Sequence, residues 1–184
     1  GPTIQRSSER ALKNDVSLEN IFDNIGDFRK KNDQTPIVIM GYANPIESLG
    51  IEKFVNYSRQ TGVDGVLVVD YPPEESKGLS DELRKNNIDS IFLLAPTSSA
   101  ERVEAVSKLA SGYVYYVSLK GVTGSKSIDY NDIKSKLPKI QSVINLPIGV
   151  GFGIRDKKTA REVSKISDAI IIGSKIIEEI ESSR

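Results

Sequence analysis

The sequence predicts an α/β fold, an incomplete (β/α)8 TIM barrel, from three observations. From Pro36 onward, short β-branched runs alternate with longer helical patterns. The runs are apolar almost throughout, as is typical of parallel strands buried on both faces. The repeat is regular and holds no long insertion, which favours a barrel over an open sheet. We expect residues 1–184 to form a single domain, the C-terminal three-quarters of such a barrel.

Six apolar runs are expected as strands, because β-branched and aromatic residues dominate them and turn residues bound them. They are Ile37–Gly41, Gly65–Val69, Ile91–Leu94, Tyr113–Val117, Ile148–Gly151 and Ala169–Ile172. Amphipathic helical patterns follow these strands, at about Ile51–Thr61, Ser76–Asn86, Ser99–Ala110, Tyr130–Ile144, Asp156–Ile166 and Ser174–Glu181. Pro138 is expected to kink or split the fourth helix.

The segment before Pro36 shows helical patterns over Ser7–Lys13 and Ser17–Lys31, with Gly1-Pro2-Thr3 as a loop that leads into them. A complete barrel of eight units takes about 250 residues. The sequence is therefore expected to lack about two strands at its front. The first and last strands would then be exposed edges that invite aggregation.

Composition excludes several classes of function. The chain has no cysteine and no histidine, which removes disulfides, thiolate nucleophiles, Ser-His-Asp triads and nearly all zinc sites. Any acid or base must be a carboxylate, a lysine or a tyrosine. Lysine plus arginine (25) equals aspartate plus glutamate (25), so the basic excess of a nucleic-acid or anionic-membrane binder is missing. Without an apolar membrane span or signal peptide, a cytoplasmic protein with small-molecule or protein partners is expected.

Glycine-rich turns follow three of the predicted strands. Gly151-Phe152-Gly153 and Gly173-Ser174 follow the last two strands, where barrels often bind phosphate. Glycines let backbone amides approach an anion, and the helix that starts near Ser174, capped by that serine, adds a positive N-terminus. Gly121-Val122-Thr123-Gly124 begins a polar loop with the composition of a lid. The alternative is that these glycines only make tight turns.

Several segments together resemble the tryptophan synthase α subunit family, an indole-3-glycerol-phosphate lyase. They are GPTIQRSSERAL, TPIVIMGYANPI, GVDGVLVVDYPPEES, YVYYVSLKGVTG, GFGI and IIGS, in the family's order and spacing from Gly1 to the end of the chain. The combination is far more specific than any one motif. The resemblance implies retro-aldol cleavage of indole-3-glycerol phosphate to indole and glyceraldehyde 3-phosphate, in tryptophan biosynthesis. Indole would pass to a β subunit in an α2β2-type complex, and the pyridoxal phosphate would belong to that β partner.

The resemblance also implies roles for individual residues, carried over position by position. Thr123 corresponds to the lid residue that locks the loop over substrate. The residues implied to hold the substrate phosphate are Gly124, Phe152, Gly153, Gly173 and Ser174. The residues implied to line the indole pocket are Met40, Tyr42, Leu67, Leu93 and Tyr115. The residues implied to face the β subunit are Asn44, Pro45, Pro72 and Pro73.

Ordinary structural roles remain open for several of these positions. The aliphatic pocket residues are equally consistent with barrel core, and the prolines with plain turns. The two tyrosine hydroxyls need partners, which favours pocket walls. Asp70 ends a strand, where a barrel carboxylate is functional in some enzymes, but capping the turn before Tyr71 is the commoner role.

The sequence departs from the family at its front. The family's acid-base glutamate and the aspartate that orients the indole N–H would both precede Gly1. Placed acid-base groups contribute about 10²–10⁴-fold to rate, so the chain as written is expected to bind poorly and catalyse little. Two alternatives are a relative of indole-glycerol-phosphate synthase, disfavoured because no predicted strand carries a lysine, and a non-catalytic phosphate-binding or partner-activating subunit.

Overall fold

The computed structural model contains one sheet of six parallel strands flanked by helices. It describes residues 1–118, 130–151 and 153–183, without the side chains of residues 130 and 132. The strands are β1 (Val38–Gly41), β2 (Gly65–Val68), β3 (Asp89–Leu94), β4 (Val114–Val117), β5 (Ile148–Gly151) and β6 (Ala169–Ile171). Each predicted strand is present within two residues of its expected bounds.

Strand order in the sheet follows the chain, β1-β2-β3-β4-β5-β6, and every pairing is parallel. Consecutive parallel order is the order of a βα barrel, whereas doubly wound sheets reverse it at a switch point. The sheet forms an open, curved part of a (β/α)8 TIM barrel, which confirms the predicted fold class. No helix among the described residues is both long and apolar enough to cross a membrane.

The helices lie along the outer face of this sheet and at its open end. They are α1 (Pro2–Leu12), α2 (Leu18–Arg29), α3 (Ala43–Leu49), α4 (Ile51–Thr61), α5 (Lys77–Lys85), α6 (Ala100–Leu109), α7 (Tyr130–Gln141), α8 (Lys157–Val163) and α9 (Ser174–Ser182).

Three expectations about these helices are corrected. The predicted loop Gly1-Pro2-Thr3 is the start of α1, because proline suits the first helical turn, where its missing amide is not needed. The helix α3 was not foreseen, since Pro45 suggested a turn, yet Pro45 also lies in a first turn. Pro138 does not split α7, because the buried Leu137 before the proline and the buried Ile140 after it hold the helix against the core.

The core lies between the sheet and the helices. Alternate strand residues such as Ile39, Val66, Phe92 and Val150 face outward and pack against the helices in two clusters. The intervening residues therefore face the barrel interior, because side chains alternate along a strand. In the sheet register this inner face carries two rows, Met40–Leu67–Ile91 and Leu93–Tyr115–Gly149–Ala169.

The amino ends of the strands are tied together by side chains that bind backbone. Asp64 precedes β2, and its Oδ2 accepts the amide of Ile37 at 2.6 Å and pairs with the Arg29 guanidinium at 2.5 Å. Arg29 also donates to the carbonyl oxygens of Gly62 and Thr35, both at 2.8 Å. The network joins α2 to the starts of β1 and β2, at the barrel end where polar residues serve stability.

Candidate functional site

The two glycines of β5, Gly149 and Gly151, face the barrel interior and lie beneath large side chains of neighbouring strands. A Cβ placed on Gly151 would lie 2.6 Å from the Tyr115 hydroxyl oxygen and 2.7 Å from Cε2 of the same ring. A Cβ on Gly149 would lie 2.9 Å from Cδ1 of Ile171. Neither contact leaves room for a side chain. Packing on the inner face is therefore sufficient to explain why residues 149 and 151 are glycines.

Gly153 and Gly173 lie at matching positions on neighbouring strands. Gly151 of β5 pairs with Ile171 of β6, and each of the two glycines follows its paired residue by two positions. Adjacent strands are about 4.8 Å apart, so the turns after β5 and β6 lie side by side at the carboxyl end of the sheet. Gly153 has φ +79°, a left-handed conformation that favours glycine, and its backbone is exposed.

The N-terminus of α9 opens at this pair of turns. Gly173 is the N-cap and makes no side-chain cap, and Ser174 is the first helical residue. The expectation that Ser174 caps the helix is therefore wrong by one position. Amides in a first turn have no acceptor within the helix, so those of Ser174 and Lys175 are available to an anion. The hydroxyl of Ser174, which does not cap α9, is available to the same anion.

Two cations near these turns were not identified from the sequence. Lys175 lies in the first turn of α9, and Arg155 follows Gly153 by two residues. They are close enough for the charge of Arg155 to lower the pKa of Lys175, although the hydrogen bond from Lys175 to Glu179 dominates and raises that pKa overall. A lysine in a first turn opposes the helix dipole. Arg155 adds positive potential near the exposed amides, whereas the ammonium of Lys175 is paired with Glu179 at 2.5 Å.

The remaining predicted site residues at this end cannot be placed. Thr123, Gly124 and Phe152 lie outside the described residues. Their predicted roles in the lid and the phosphate site stay predictions.

The predicted indole-pocket residues differ in exposure. Leu67 is buried at 1% exposure, and Leu93 and Tyr115 are partly buried and paired in register. Met40 is 57% exposed although it pairs with Leu67, because it lies on the edge strand β1. Tyr42 is 64% exposed and forms the N-cap of α3. Met40, Leu67, Leu93 and Tyr115 share the inner face, whereas Tyr42 lies at its rim.

Burial affects the ionisation of the inner-face tyrosines. Desolvation raises the pKa of Tyr115, and the neighbouring Tyr113 raises it further, while desolvation alone raises the pKa of Tyr113. Both phenols therefore remain neutral at physiological pH. A neutral phenol on an apolar inner face can donate a hydrogen bond to a ligand while its ring packs against an aromatic group.

Asp70 contributes to structure at the rim. Its Oδ1 accepts the amide of Ala43 at 2.8 Å, which caps α3 from the neighbouring loop. Asp70 was expected to cap the turn before Tyr71. It instead caps α3, which follows a different strand. This bond fixes the turns after β1 and β2 relative to each other.

The predicted partner-facing residues lie on the same rim. Asn44 and Pro45 are exposed on α3, and Pro72 is partly exposed. Pro73 is buried, and the carbonyl of Pro72 accepts the Ser76 hydroxyl at 2.7 Å. Asn44, Pro45 and Pro72 are therefore accessible to a partner, whereas Pro73 supports the turn.

Comparison with known families gives one result for the full length of the sequence. A family described as "Tryptophan synthase alpha chain" matches residues 1–184. A tryptophan synthase alpha chain of Nitrosomonas europaea is 57% identical over 183 residues, which cover all of this chain and 66% of the relative. The corresponding protein of Nitrosospira multiformis is 58% identical with the same coverage. The chain thus spans about two thirds of the length of these relatives.

Solved structures show the same similarity in three dimensions. The tryptophan synthase subunit alpha of Legionella pneumophila superposes with a TM-score of 0.91 at 37% identity, over all of this chain and 67% of that one. A chain from the tryptophan synthase α2β2 complex of Pyrococcus furiosus superposes with a TM-score of 0.89 at 33% identity, over 99% of this chain and 73% of its own length.

Proposed function

The chain belongs to the tryptophan synthase alpha chain family, and we propose that the whole protein cleaves indole-3-glycerol phosphate to indole and glyceraldehyde 3-phosphate in tryptophan biosynthesis. One observation carries the proposal beyond family membership. The turn at Gly153 and the N-terminus of α9 lie side by side, next to an apolar inner face lined by Leu67, Leu93 and Tyr115. A substrate with a phosphate at one end and a flat apolar ring at the other needs both features.

In the proposed binding mode, the backbone amides of Gly153, Ser174 and Lys175 hold the phosphate. Arg155 adds charge there, which favours the dianion over the monoanion. The indole ring lies against Leu67, Leu93 and Tyr115, where apolar contact excludes water. Gly124, Phe152 and Thr123 keep the roles that the family resemblance implies.

Retro-aldol cleavage needs two proton transfers. A base removes the proton from the hydroxyl on the glycerol carbon attached to the ring, the bond between that carbon and indole C3 breaks, and C3 receives a proton. In the described part of the chain, the carboxylate at the rim, Asp70, is bonded to backbone and is a poor candidate for either step. The family resemblance implies an acid-base glutamate, and an aspartate that orients the indole N–H, on segments that precede Gly1.

The proposed partner is a tryptophan synthase β subunit, which would bind at the rim formed by Asn44, Pro45 and Pro72. These residues surround the carboxyl ends of β1 and β2, next to the mouth from which indole would leave. A solved relative is an α2β2 complex, which supports this pairing. We also propose a cytoplasmic location, which family membership supports.

The decisive experiment joins the chain to the N-terminal segment of the Nitrosomonas europaea relative, placed directly ahead of Gly1. Release of glyceraldehyde 3-phosphate is followed by a coupled dehydrogenase assay. The joined protein is expected to cleave indole-3-glycerol phosphate, and Gly153→Val should raise KM because valine disfavours the left-handed backbone and occupies the anion position. Gly78→Val is the matched control, since Gly78 is exposed on α5 and a Cβ there meets nothing within 4 Å. A folded joined protein that binds glycerol 3-phosphate but cleaves no substrate would favour the non-catalytic subunit instead.

A further inference from the structure

The helix α9, whose N-terminus forms part of the proposed phosphate site, is supported mainly by α1. No residue of α9 is fully buried. Its most extensive contact is with α1, at the open end of the sheet. Thr3 and Ile4 in the first turn of α1 lie beside the first half of α9, and Arg10 near the end of α1 pairs with Glu181 at 2.6 Å. The two helices therefore run side by side in the same direction, with both N-termini at the carboxyl end of the sheet.

The first turn of α1 contacts α9 at the residues that set its N-terminus. Thr3 is 9% exposed, and its hydroxyl donates to Oε1 of Glu178 at 3.3 Å. Cδ1 of Ile4 lies 3.9 Å from the position of a Cβ on Gly173, which is ordinary van der Waals contact. Ile4, which is 44% exposed, therefore lies near the N-cap, while Thr3 holds α9 at Glu178 in the middle of that helix.

The contact with Glu178 also compensates the positive N-terminal end of the α1 dipole. That helix has no side-chain cap and no acidic residue in its first turn. The carboxylate of Glu178 brings a negative charge to this terminus, where the helix dipole favours one. The bond from Thr3 to Glu178 therefore stabilises the N-terminus of α1 and holds it beside α9.

We propose that Thr3 and Ile4 are positioning residues for the phosphate-binding turn at Gly173 and Ser174. Glu178 takes part as the acceptor of the Thr3 hydrogen bond. The inference rests on the proposed function, since it assigns a role in the same site. Misplacement of a binding group by about 1 Å can cost as much as 10²-fold in rate, so a residue that fixes the α9 terminus affects ligand affinity without touching the ligand.

The test uses the joined protein, in which the N-terminal segment of the Nitrosomonas europaea relative precedes Gly1, and measures its affinity for sn-glycerol 3-phosphate through the amide NMR shifts of Gly173 and Ser174. Thr3→Val and Glu178→Ala each remove the buried hydrogen bond and should weaken binding about three- to tenfold. Thr3→Ser keeps the hydroxyl and should bind within about twofold of the unaltered joined protein.

Arg10→Ala is the matched control in the same interface. It removes the ion pair with Glu181, about two turns of α1 away from Gly173. It should lower the midpoint of thermal unfolding and leave the affinity unchanged. A merely structural role for Thr3 predicts instead that affinity and stability fall together in all three variants, Thr3→Val, Glu178→Ala and Arg10→Ala.

The outcomes separate this inference from the proposed function. If Thr3→Val and Glu178→Ala bind as well as the unaltered joined protein while Ser174→Ala weakens binding, the positioning role is wrong and the phosphate site stands. If the unaltered joined protein shows no shift at Gly173 or Ser174, the phosphate site itself is wrong and the inference falls with it. Should Thr3→Val fail to fold, Glu178→Ala, which changes a partly exposed helical residue, decides the question.

Discussion

Replacing Gly151 by alanine tests the packing of the inner face. The added Cβ would lie 2.6 Å from the Tyr115 hydroxyl oxygen and 2.7 Å from Cε2, whereas real Cβ contacts are almost never below 3.0 Å. Overpacking of this kind costs about 1–3 kcal/mol. For a chain of this length, about 2–4 °C of melting temperature corresponds to each kcal/mol, so we expect a fall of about 2–12 °C.

The assay is thermal unfolding followed by circular dichroism, with urea titration to obtain the free energy. Gly41→Ala is the control, because a Cβ at Gly41 on β1 meets no atom within 4 Å. The double variant Gly151→Ala, Tyr115→Leu should lose less free energy of unfolding than the two single variants lose together. The difference, which is the coupling energy, should be at least about 1 kcal/mol. Tyr115→Phe should recover little, since the ring carbon Cε2 remains in the way.

Strict additivity of Gly151→Ala and Tyr115→Leu would refute this reasoning. It would mean that the cost at Gly151 arises from another neighbour or from the strand backbone. An unchanged melting temperature for Gly151→Ala alone would show that the Tyr115 ring moves aside freely.

The remaining predictions concern the amino end of the barrel, the tyrosines and the anion site. Asp64→Ala removes the acceptor of the Ile37 amide and the partner of Arg29, so the free energy of unfolding should fall by about 1–3 kcal/mol in urea titrations. The pKa of Tyr115 is raised in the folded chain, so its stability contribution is present below the unfolded pKa of about 10 and is lost as pH rises through the folded pKa. Tyr115→Phe should flatten the fall in stability above pH of about 10. Arg155→Gln should weaken binding of glycerol 3-phosphate and reduce its salt dependence.

Controls for the first and last of these predictions use residues of the same type elsewhere. Asp33→Ala should leave the free energy of unfolding within about 0.5 kcal/mol of the unaltered chain, since Asp33 is exposed and bonds to its neighbour Gln34. Arg161→Gln, on the exposed side of α8, should not alter phosphate affinity. An equal effect of the control and the test variant would contradict the corresponding prediction.

The strands were predictable because their signal is local. Each is a short run of apolar, β-branched residues between turn residues, and burial on both faces leaves that pattern intact.

The helix starts were less predictable. Pro2 and Pro45 resembled turn residues, although proline is equally suited to a first helical turn, and the residue that caps α3, Asp70, lies on another loop.

The sequence motifs predicted which residues would form the site. They explained only in part why those residue types occur there. Gly153 does adopt a backbone that favours glycine, as its sequence context suggested. Gly149 and Gly151 are explained by side chains on neighbouring strands, Ile171 and Tyr115, which no local pattern reveals. The α1–α9 contact likewise joins residues at the two ends of the chain, so neither Thr3 nor Glu178 stood out.

The order of the strands has a consequence for how the protein is made. Every ladder in the described sheet joins a strand to the one before it or after it in the chain. A chain leaving the ribosome can therefore complete each ladder as soon as the next unit emerges, without waiting for a distant segment. The exception is the contact between α1 and α9, which can form only after all six strands of the described sheet have been made. The N-terminus of α9 therefore takes its final position after the sheet to which it is attached.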